Sequence, residues 1–113
     1  MRIGDASFTV VDEGSGAVAL EGELDAGSTD VLRDALETRR GEGALTLDVA
    51  RLEFMDSSGV HALLRASGAV PGRCLIVHGA HGSVAKVLAL THVGEAPQIH
   101  VVPCDRHDVV RID

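Results

Sequence analysis

Aromatic residues are scarce in this sequence, which has no tryptophan or tyrosine and only two phenylalanines, Phe8 and Phe54. Hydrophobic residues still make up 45% of the 113 residues and charged residues 24%, an ordinary globular composition that argues against disorder. We therefore expect an aliphatic core built from Val, Leu, Ile and Ala. The shortage of aromatic rings also disfavours functions that stack bases or sugars on aromatic side chains.

Cysteines and long apolar runs are also scarce. Cys74 and Cys104 lie in apolar, strand-like runs, so we expect reduced core residues of a cytosolic protein rather than a disulfide. No stretch approaches the roughly 20 apolar residues of a membrane-spanning helix. Residues Met1 to Val10 do not show a charged lead followed by a long apolar run, as a signal peptide would. These features predict a cytoplasmic protein that does not bind membranes directly.

Basic residues are outnumbered, with ten Lys plus Arg against seventeen Asp plus Glu and a formal net charge of −7. An acidic domain repels the phosphates of nucleic acids and of anionic lipids, so neither is an expected partner. Basic protein surfaces are better partners for such a chain.

The chain begins with the pattern of a β-hairpin. The run Phe8 to Val11 is followed by the turn residues Gly14-Ser15-Gly16 and then by a second run, Ala17 to Leu24. The glycines superficially resemble a dinucleotide-binding loop, but a strand follows them where that motif requires a helix.

Helices and strands then alternate along the sequence. Ser28 is a candidate N-cap for a first helix, and Met55-Asp56-Ser57-Ser58-Gly59 opens a second. In that second helix, an i, i+3, i+4, i+7 stripe is formed by Val60, Leu63, Leu64 and Ser67. The expected helices cover about 29–39, 55–68 and 83–91, and the expected strands 45–50, 74–77 and 99–102. The continuous apolar run 74–77 is typical of a strand covered on both faces. The pattern of residues 105–113 fits either a short helix or a strand.

This order predicts an α/β fold: one domain over residues 1–113, with a mostly parallel or mixed sheet of four to five strands and helices packed against it. Crossover helices between strands imply parallel pairing and right-handed connections.

Three segments carry a resemblance to a known family. They are LEGELD at 20–25 leading into VLRDAL at 31–36, then LDVA at 47–50 followed by FMDSSG at 54–59, and VAKVLALT at 84–91. In this order they resemble the STAS domain family, named for sulfate transporters and anti-sigma factor antagonists, and the antagonist subgroup in particular. The resemblance covers about residues 8–103. His61 departs from it, because the family usually has small or aliphatic residues after the glycine.

The resemblance implies a phosphorylation switch at Ser58. In the antagonists, the serine directly before the glycine is phosphorylated by a Ser/Thr kinase that is also the anti-sigma factor. The unmodified form binds that kinase and frees a sigma factor, and a PP2C-type phosphatase restores it. We expect Asp56 or Ser57 to cap the helix and Gly59 to keep the approach to the hydroxyl open. The expected partner-binding residues are Asp25, Ser28, Asp56, Ser57, Ser58, Gly59 and His61.

Other functions have weaker support in the sequence. His61 lies three residues after Ser58, but the context of a nucleophile elbow is missing, so we expect no catalytic residue and no enzyme activity. His78 and His81 lack further ligands at metal-binding spacing, so we expect no metal and no cofactor. A STAS subunit of a membrane transport complex, for lipids or anions, is the alternative. Nucleotide sensing is disfavoured because no basic, glycine-rich phosphate cradle is present.

Overall fold

A computed structural model describes residues 2–4, 7–14, 16–37, 43–69, 73–96 and 98–102. The predicted tail 105–113, Cys104 and the end of the first predicted helix lie outside these residues.

The described residues form one mixed sheet of six strands, which lie side by side in chain order. The strands are β1 (Arg2–Gly4), β2 (Phe8–Gly14), β3 (Ala17–Leu24), β4 (Gly43–Met55), β5 (Arg73–His78) and β6 (Ile99–Val102). The first three pair antiparallel, whereas β3 through β6 pair parallel. The α/β class and the mixed sheet are thereby confirmed. The short edge strand β1 adds a sixth strand to the four or five expected.

Three α-helices connect the parallel strands, as the alternation predicted. They are α1 (Thr29–Glu37), α2 (Ser57–Ala69) and α3 (Gly82–Leu90), and a 3-10 turn, Val93–Glu95, follows α3. Helices α1 and α2 contact each other, and α2 also contacts β4 and β5. None of the helices in the described ranges has the length and apolar character that a bilayer crossing requires.

The core is aliphatic, as the composition predicted. Its largest fully buried side chains are mostly leucines from the helices and the inner strands, with Phe8 as the one fully buried aromatic among the described residues. In α2, Val60, Leu63 and Ser67 face the core, but Leu64 is 40% exposed and the predicted stripe was wrong there. Leu64 lies at the margin of the helix face that the core covers.

Strand β4 is longer than the sequence indicated. Its inward residues alternate regularly at Leu45, Leu47 and Val49, and then continue at Leu52 and Met55 with a spacing of three. Two irregularities in the pairing with β3 account for this change of spacing, because each places an extra residue on β4. Leu52 and Phe54, which we expected in a connection, therefore belong to the end of β4, and α2 begins at Ser57 rather than at Met55.

The prediction that β5 is covered on both faces was wrong. Leu75 and Val77 are buried, whereas Cys74 and Ile76 are only half-buried. The half-buried pair lies on the face opposite the core, where its neighbours across the sheet include Thr46 and the exposed His100. The Cys74 thiol is free.

Glycine at position 22 is required by a close approach between β3 and the chain entering β2. Gly22 has a φ of 100°, and a Cβ atom there would overlap the carbonyl oxygen of Ser7. That oxygen accepts a hydrogen bond of 2.8 Å from the amide of Glu23. This contact holds the end of β3 in place immediately before the Asp25 loop.

We predict that Gly22→Ala lowers the free energy of unfolding by about 2 kcal/mol or more, because alanine disfavours this φ and meets backbone rather than a movable side chain. Gly68→Ala is the matched control. Gly68 is exposed in α2, and an added Cβ has no neighbour within 4 Å. Alanine is the better helix former, so stability should stay equal or rise by up to about 1 kcal/mol. Urea unfolding followed by circular dichroism measures both; equal stabilities would contradict the account of Gly22.

Candidate functional site

The two segments singled out by the sequence meet at one edge of the sheet. Residues 25–28 follow β3, and Asp56 with the start of α2 follows β4, the neighbouring parallel strand. The carboxyl ends of adjacent parallel strands lie side by side, a common place for binding sites. A direct link joins them here, since the amide of Asp56 donates a 3.3 Å hydrogen bond to the carbonyl of Leu24.

The loop after β3 is braced by side-chain hydrogen bonds. The Ser28 hydroxyl accepts from the Asp25 amide at 3.0 Å and lies 2.9 Å from the carbonyl of Glu23, to which it donates. The Asp25 carboxylate accepts from the amide of Gly27 at 3.0 Å. The carbonyl of Ser28 accepts the first helical bond from Val31, so Ser28 does occupy the N-cap position of α1. Its hydroxyl, however, bonds to backbone groups of Glu23 and Asp25 and not to an amide of the helix.

Asp56 caps α2. Its carboxylate oxygen Oδ1 accepts hydrogen bonds from the amides of Ser58 at 2.9 Å and Gly59 at 3.3 Å. Its carbonyl accepts from the amide of Val60 at 3.2 Å, which begins the helical ladder. A cap of this kind stabilises a protein by about 1 kcal/mol. Of the two capping candidates, Asp56 and Ser57, the structure therefore assigns the role to Asp56.

The serine pair lies in the first turn of α2. Ser57 is exposed and Ser58 partly exposed, so neither hydroxyl is beneath the core. The Ser58 amide is used by the Asp56 cap, but its hydroxyl makes no hydrogen bond within the part of the chain that the structure describes. The Ser58 hydroxyl is thus accessible and has no structural role of its own.

A side chain at position 59 would point toward the core and not toward the Ser58 hydroxyl. An added Cβ would come within 2.8 Å of Met55 Cγ and 2.9 Å of Leu24 Cγ. Gly59 itself is buried. The expectation that Gly59 opens the path to Ser58 was therefore wrong: its lack of a side chain lets α2 approach the ends of β3 and β4.

In the sequence, the serine pair lies between two further exposed side chains, those of Phe54 and His61. His61 is exposed, as expected for a residue on the outer face of α2. Phe54, two residues before Asp56, is 42% exposed and lies opposite Glu23 in the β3–β4 register. The motif at 54–59 does not indicate that Phe54 is exposed, since its outward orientation depends on the irregular end of β4.

The charges at this edge are acidic. Glu23 and Glu53 are exposed, and Asp25 and Asp56 are partly exposed with their carboxylates turned to backbone amides. Arg51, which lies earlier along β4, forms an ion pair of 2.8 Å with Glu21. The Glu21 carboxylate raises the pKa of the Arg51 guanidinium. The edge is therefore suited to a basic partner surface.

The remaining histidines do not build a metal site. His78 and His81 are exposed, and His81 Nε2 lies 2.7 Å from the carbonyl oxygen of Ala50. Across the described ranges, no three His, Cys, Asp or Glu side chains are grouped closely enough to hold a metal ion.

A family model described as Mlab, STAS domain, matches residues 8–103. No curated protein sequence matches the chain. Among solved structures, the anti-sigma factor antagonist SpoIIAA in its unphosphorylated form is 26% identical with a TM-score of 0.60, over 91% of this chain and 92% of that chain. SpoIIAA of Bacillus in the phosphorylated form is 25% identical with a TM-score of 0.54, over 94% and 99%.

Two further structures share the fold. An anti-sigma factor antagonist from Mycobacterium paratuberculosis is 20% identical with a TM-score of 0.69, over 92% of each chain. The murine Solute Carrier 26 family member A9 anion transporter, in its inward-facing state, is 19% identical with a TM-score of 0.62, over 96% of this chain and 21% of that chain. The family model spans nearly all of the sequence and the architecture agrees with it, so this chain belongs to the STAS domain family.

Proposed function

We propose that this chain is an anti-sigma factor antagonist whose binding is controlled at Ser58. In its unphosphorylated form it binds an anti-sigma factor with Ser/Thr kinase activity in the cytoplasm, and a sigma factor is freed. Phosphorylation of Ser58 ends the binding, and a PP2C-type phosphatase restores it. The observation that carries the proposal is the accessible Ser58 hydroxyl, which makes no hydrogen bond in the described structure while Asp56 caps the helix.

Similarity to SpoIIAA supports control by phosphorylation, because that antagonist has been solved in both an unphosphorylated and a phosphorylated form. The identities of 26% and 25% extend over more than nine-tenths of this chain. The chain acts in this proposal by binding, not as an enzyme, and residues 1–113 act as one domain.

The position of Ser58 suits a switch that leaves the fold intact. A phosphate adds about −1.5 to −2 charges, and the amino end of a helix tolerates an anion because its dipole is positive there. The same group would bring bulk and charge to any surface docked on the start of α2. A loss of about 3 kcal/mol in binding free energy would weaken the complex more than a hundredfold.

The proposed binding surface consists of the Asp25 loop and the start of α2. Asp25, Asp56, Ser57, Ser58 and His61 can be reached by a partner. Ser28 and Gly59 are buried, so their part in binding is to position the segments that make the contact.

The alternative is a STAS subunit of a membrane transport complex, for lipids or anions. The observation in its favour is the fold shared with the Solute Carrier 26 family member A9 anion transporter, of which the matched part is 21% of the chain. At 19% identity, this similarity supports a shared fold but not a shared function. A subunit of this kind has no need of a phosphorylatable Ser58, and the two proposals therefore differ in the experiment that follows.

We predict that a cognate anti-sigma factor kinase with ATP adds one phosphate, on Ser58. Ser58→Ala should abolish the mass gain of about 80 units while leaving binding near normal, because only the acceptor hydroxyl is lost. Ser58→Asp should weaken binding, though less than phosphate does, since one carboxylate carries less charge. Intact mass, peptide mapping and calorimetric titration measure these effects.

Ser57→Ala is the matched control for that series, and it should still be phosphorylated at Ser58 with unchanged stability, because Asp56 provides the cap. Phosphate on Ser57 would support control by phosphorylation but would contradict the assignment to Ser58. If no kinase modifies either serine and Ser58→Asp binds as well as wild type, the antagonist proposal fails in favour of the transport subunit.

Charge reversal tests the binding surface. Asp25→Lys should weaken kinase binding at least tenfold, because it places a cation against a basic partner and removes the carboxylate that braces the loop. The part due to charge should be larger at low salt. Glu13→Lys is the matched control, since it makes the same charge change at an exposed site of β2 beside the hairpin turn, at the opposite end of β3. Equal affinities for Asp25→Lys and Glu13→Lys would place the interface elsewhere.

A further inference from the structure

His61 and Ser58 occupy one exposed face of α2. They are three residues apart, so their Cβ atoms are about 5–6 Å apart on neighbouring turns of the helix. Side chains in a helix lean toward its amino end, which directs the His61 ring over the turn that contains Ser57 and Ser58. His61 is exposed and, in the described structure, takes part in no hydrogen bond or ion pair.

The other charged groups around this turn are already engaged or lie farther along the helix. The Asp56 carboxylate caps α2. On α1, the helix that contacts α2, Arg33 is paired with Asp30 at 3.0 Å and with Asp34 at 3.5 Å. Arg65, the next exposed cation of α2, is seven residues from Ser58. His61 is therefore the first side chain of α2 able to present a positive charge to a group on Ser58.

Acidic residues also lie at the ends of the two neighbouring strands, next to which α2 starts. Asp25 follows β3, while Glu23 and Glu53 are exposed near the ends of β3 and β4. A phosphate on Ser58 would be repelled by these carboxylates, and the favourable dipole of α2 together with His61, the nearest cation along that helix, would oppose the repulsion. A cation at this position has most to contribute when Ser58 is phosphorylated.

We propose that His61 binds the phosphate of phosphorylated Ser58 within the same molecule and keeps that phosphate doubly charged. The inference rests on the proposed phosphorylation of Ser58 and names the residue that stabilises the phosphorylated state. The pair has the favourable order for a helix, with the anion on the amino-terminal side of the cation. Because imidazolium and the phosphate dianion stabilise each other, the second ionisation of the phosphate shifts to lower pH. The released state of the switch then persists under mildly acidic conditions.

The test uses the whole chain with phosphoserine incorporated at position 58 during translation, so that no kinase is needed. Phosphorus NMR measures the second pKa of that phosphate in the parent and in His61→Gln, which removes the cation and keeps a similar size. We expect the phosphate pKa to be about half a unit lower in the parent, as a helical ion pair with a doubly charged partner implies. His61→Arg, with a permanent cation, should give a value as low as the parent or lower.

Two control variants separate a local pair from a general charge effect. His100→Gln lies on β6 and should leave the phosphate pKa unchanged. Arg65→Gln should have less effect than His61→Gln. Equal titrations in the parent and His61→Gln, or a larger effect of Arg65→Gln, would overturn the proposal. Because the phosphate is installed without a kinase, this result is independent of whether a kinase modifies Ser58, and the two proposals can fail separately.

Discussion

Close packing between the start of α2 and the ends of two strands determines where the serine pair lies. Gly59 fits between Leu24 and Met55 because it has no side chain, and the Asp56 amide is bonded to the Leu24 carbonyl. Together these contacts fix the first turn of α2 against β3 and β4. The helix can then present only one face of that turn to solvent, and Ser58 lies on it. A larger residue at position 59 would separate the helix from both strands and displace the hydroxyl from the Asp25 loop.

Polar groups at this edge divide two tasks between them. Buried backbone groups must be hydrogen-bonded, and the chain turns sharply after both β3 and β4. The Ser28 hydroxyl meets this requirement in the first turn, and the Asp56 carboxylate meets it in the second. The two neighbouring hydroxyls, on Ser57 and Ser58, make no hydrogen bond in the described structure. Stability and the proposed regulation at Ser58 would therefore rest on different side chains within one short segment, and a change in one need not disturb the other.

Much of the architecture could be predicted from the sequence, because apolar periodicity and turn residues mark the hairpin, the helices and β6. The motif around Ser58 could also be placed on a helix start from its neighbours alone. The end of β4 could not, since its two irregular pairings change the spacing of inward residues from Val49 to Leu52 and Met55. The same irregularity hid the outward orientation of Phe54. The role of Gly59 was missed for another reason: a glycine in a sequence does not reveal whether space is needed toward solvent or toward the core.

The unequal lengths of β4 and β5 have a consequence for self-association. β5 pairs with β4 only as far as His78, opposite Asp48, so among the described residues no strand lies beside the rest of β4 on that side. An unpaired strand edge is a template on which other chains can add and aggregate. Here the chain entering α3 covers it: His81 bonds the Ala50 carbonyl at 2.7 Å and the Ser83 hydroxyl approaches the Glu53 carbonyl at 3.5 Å. The contacts of His81 and Ser83 occupy carbonyl oxygens on this side of β4, which opposes the addition of another strand there.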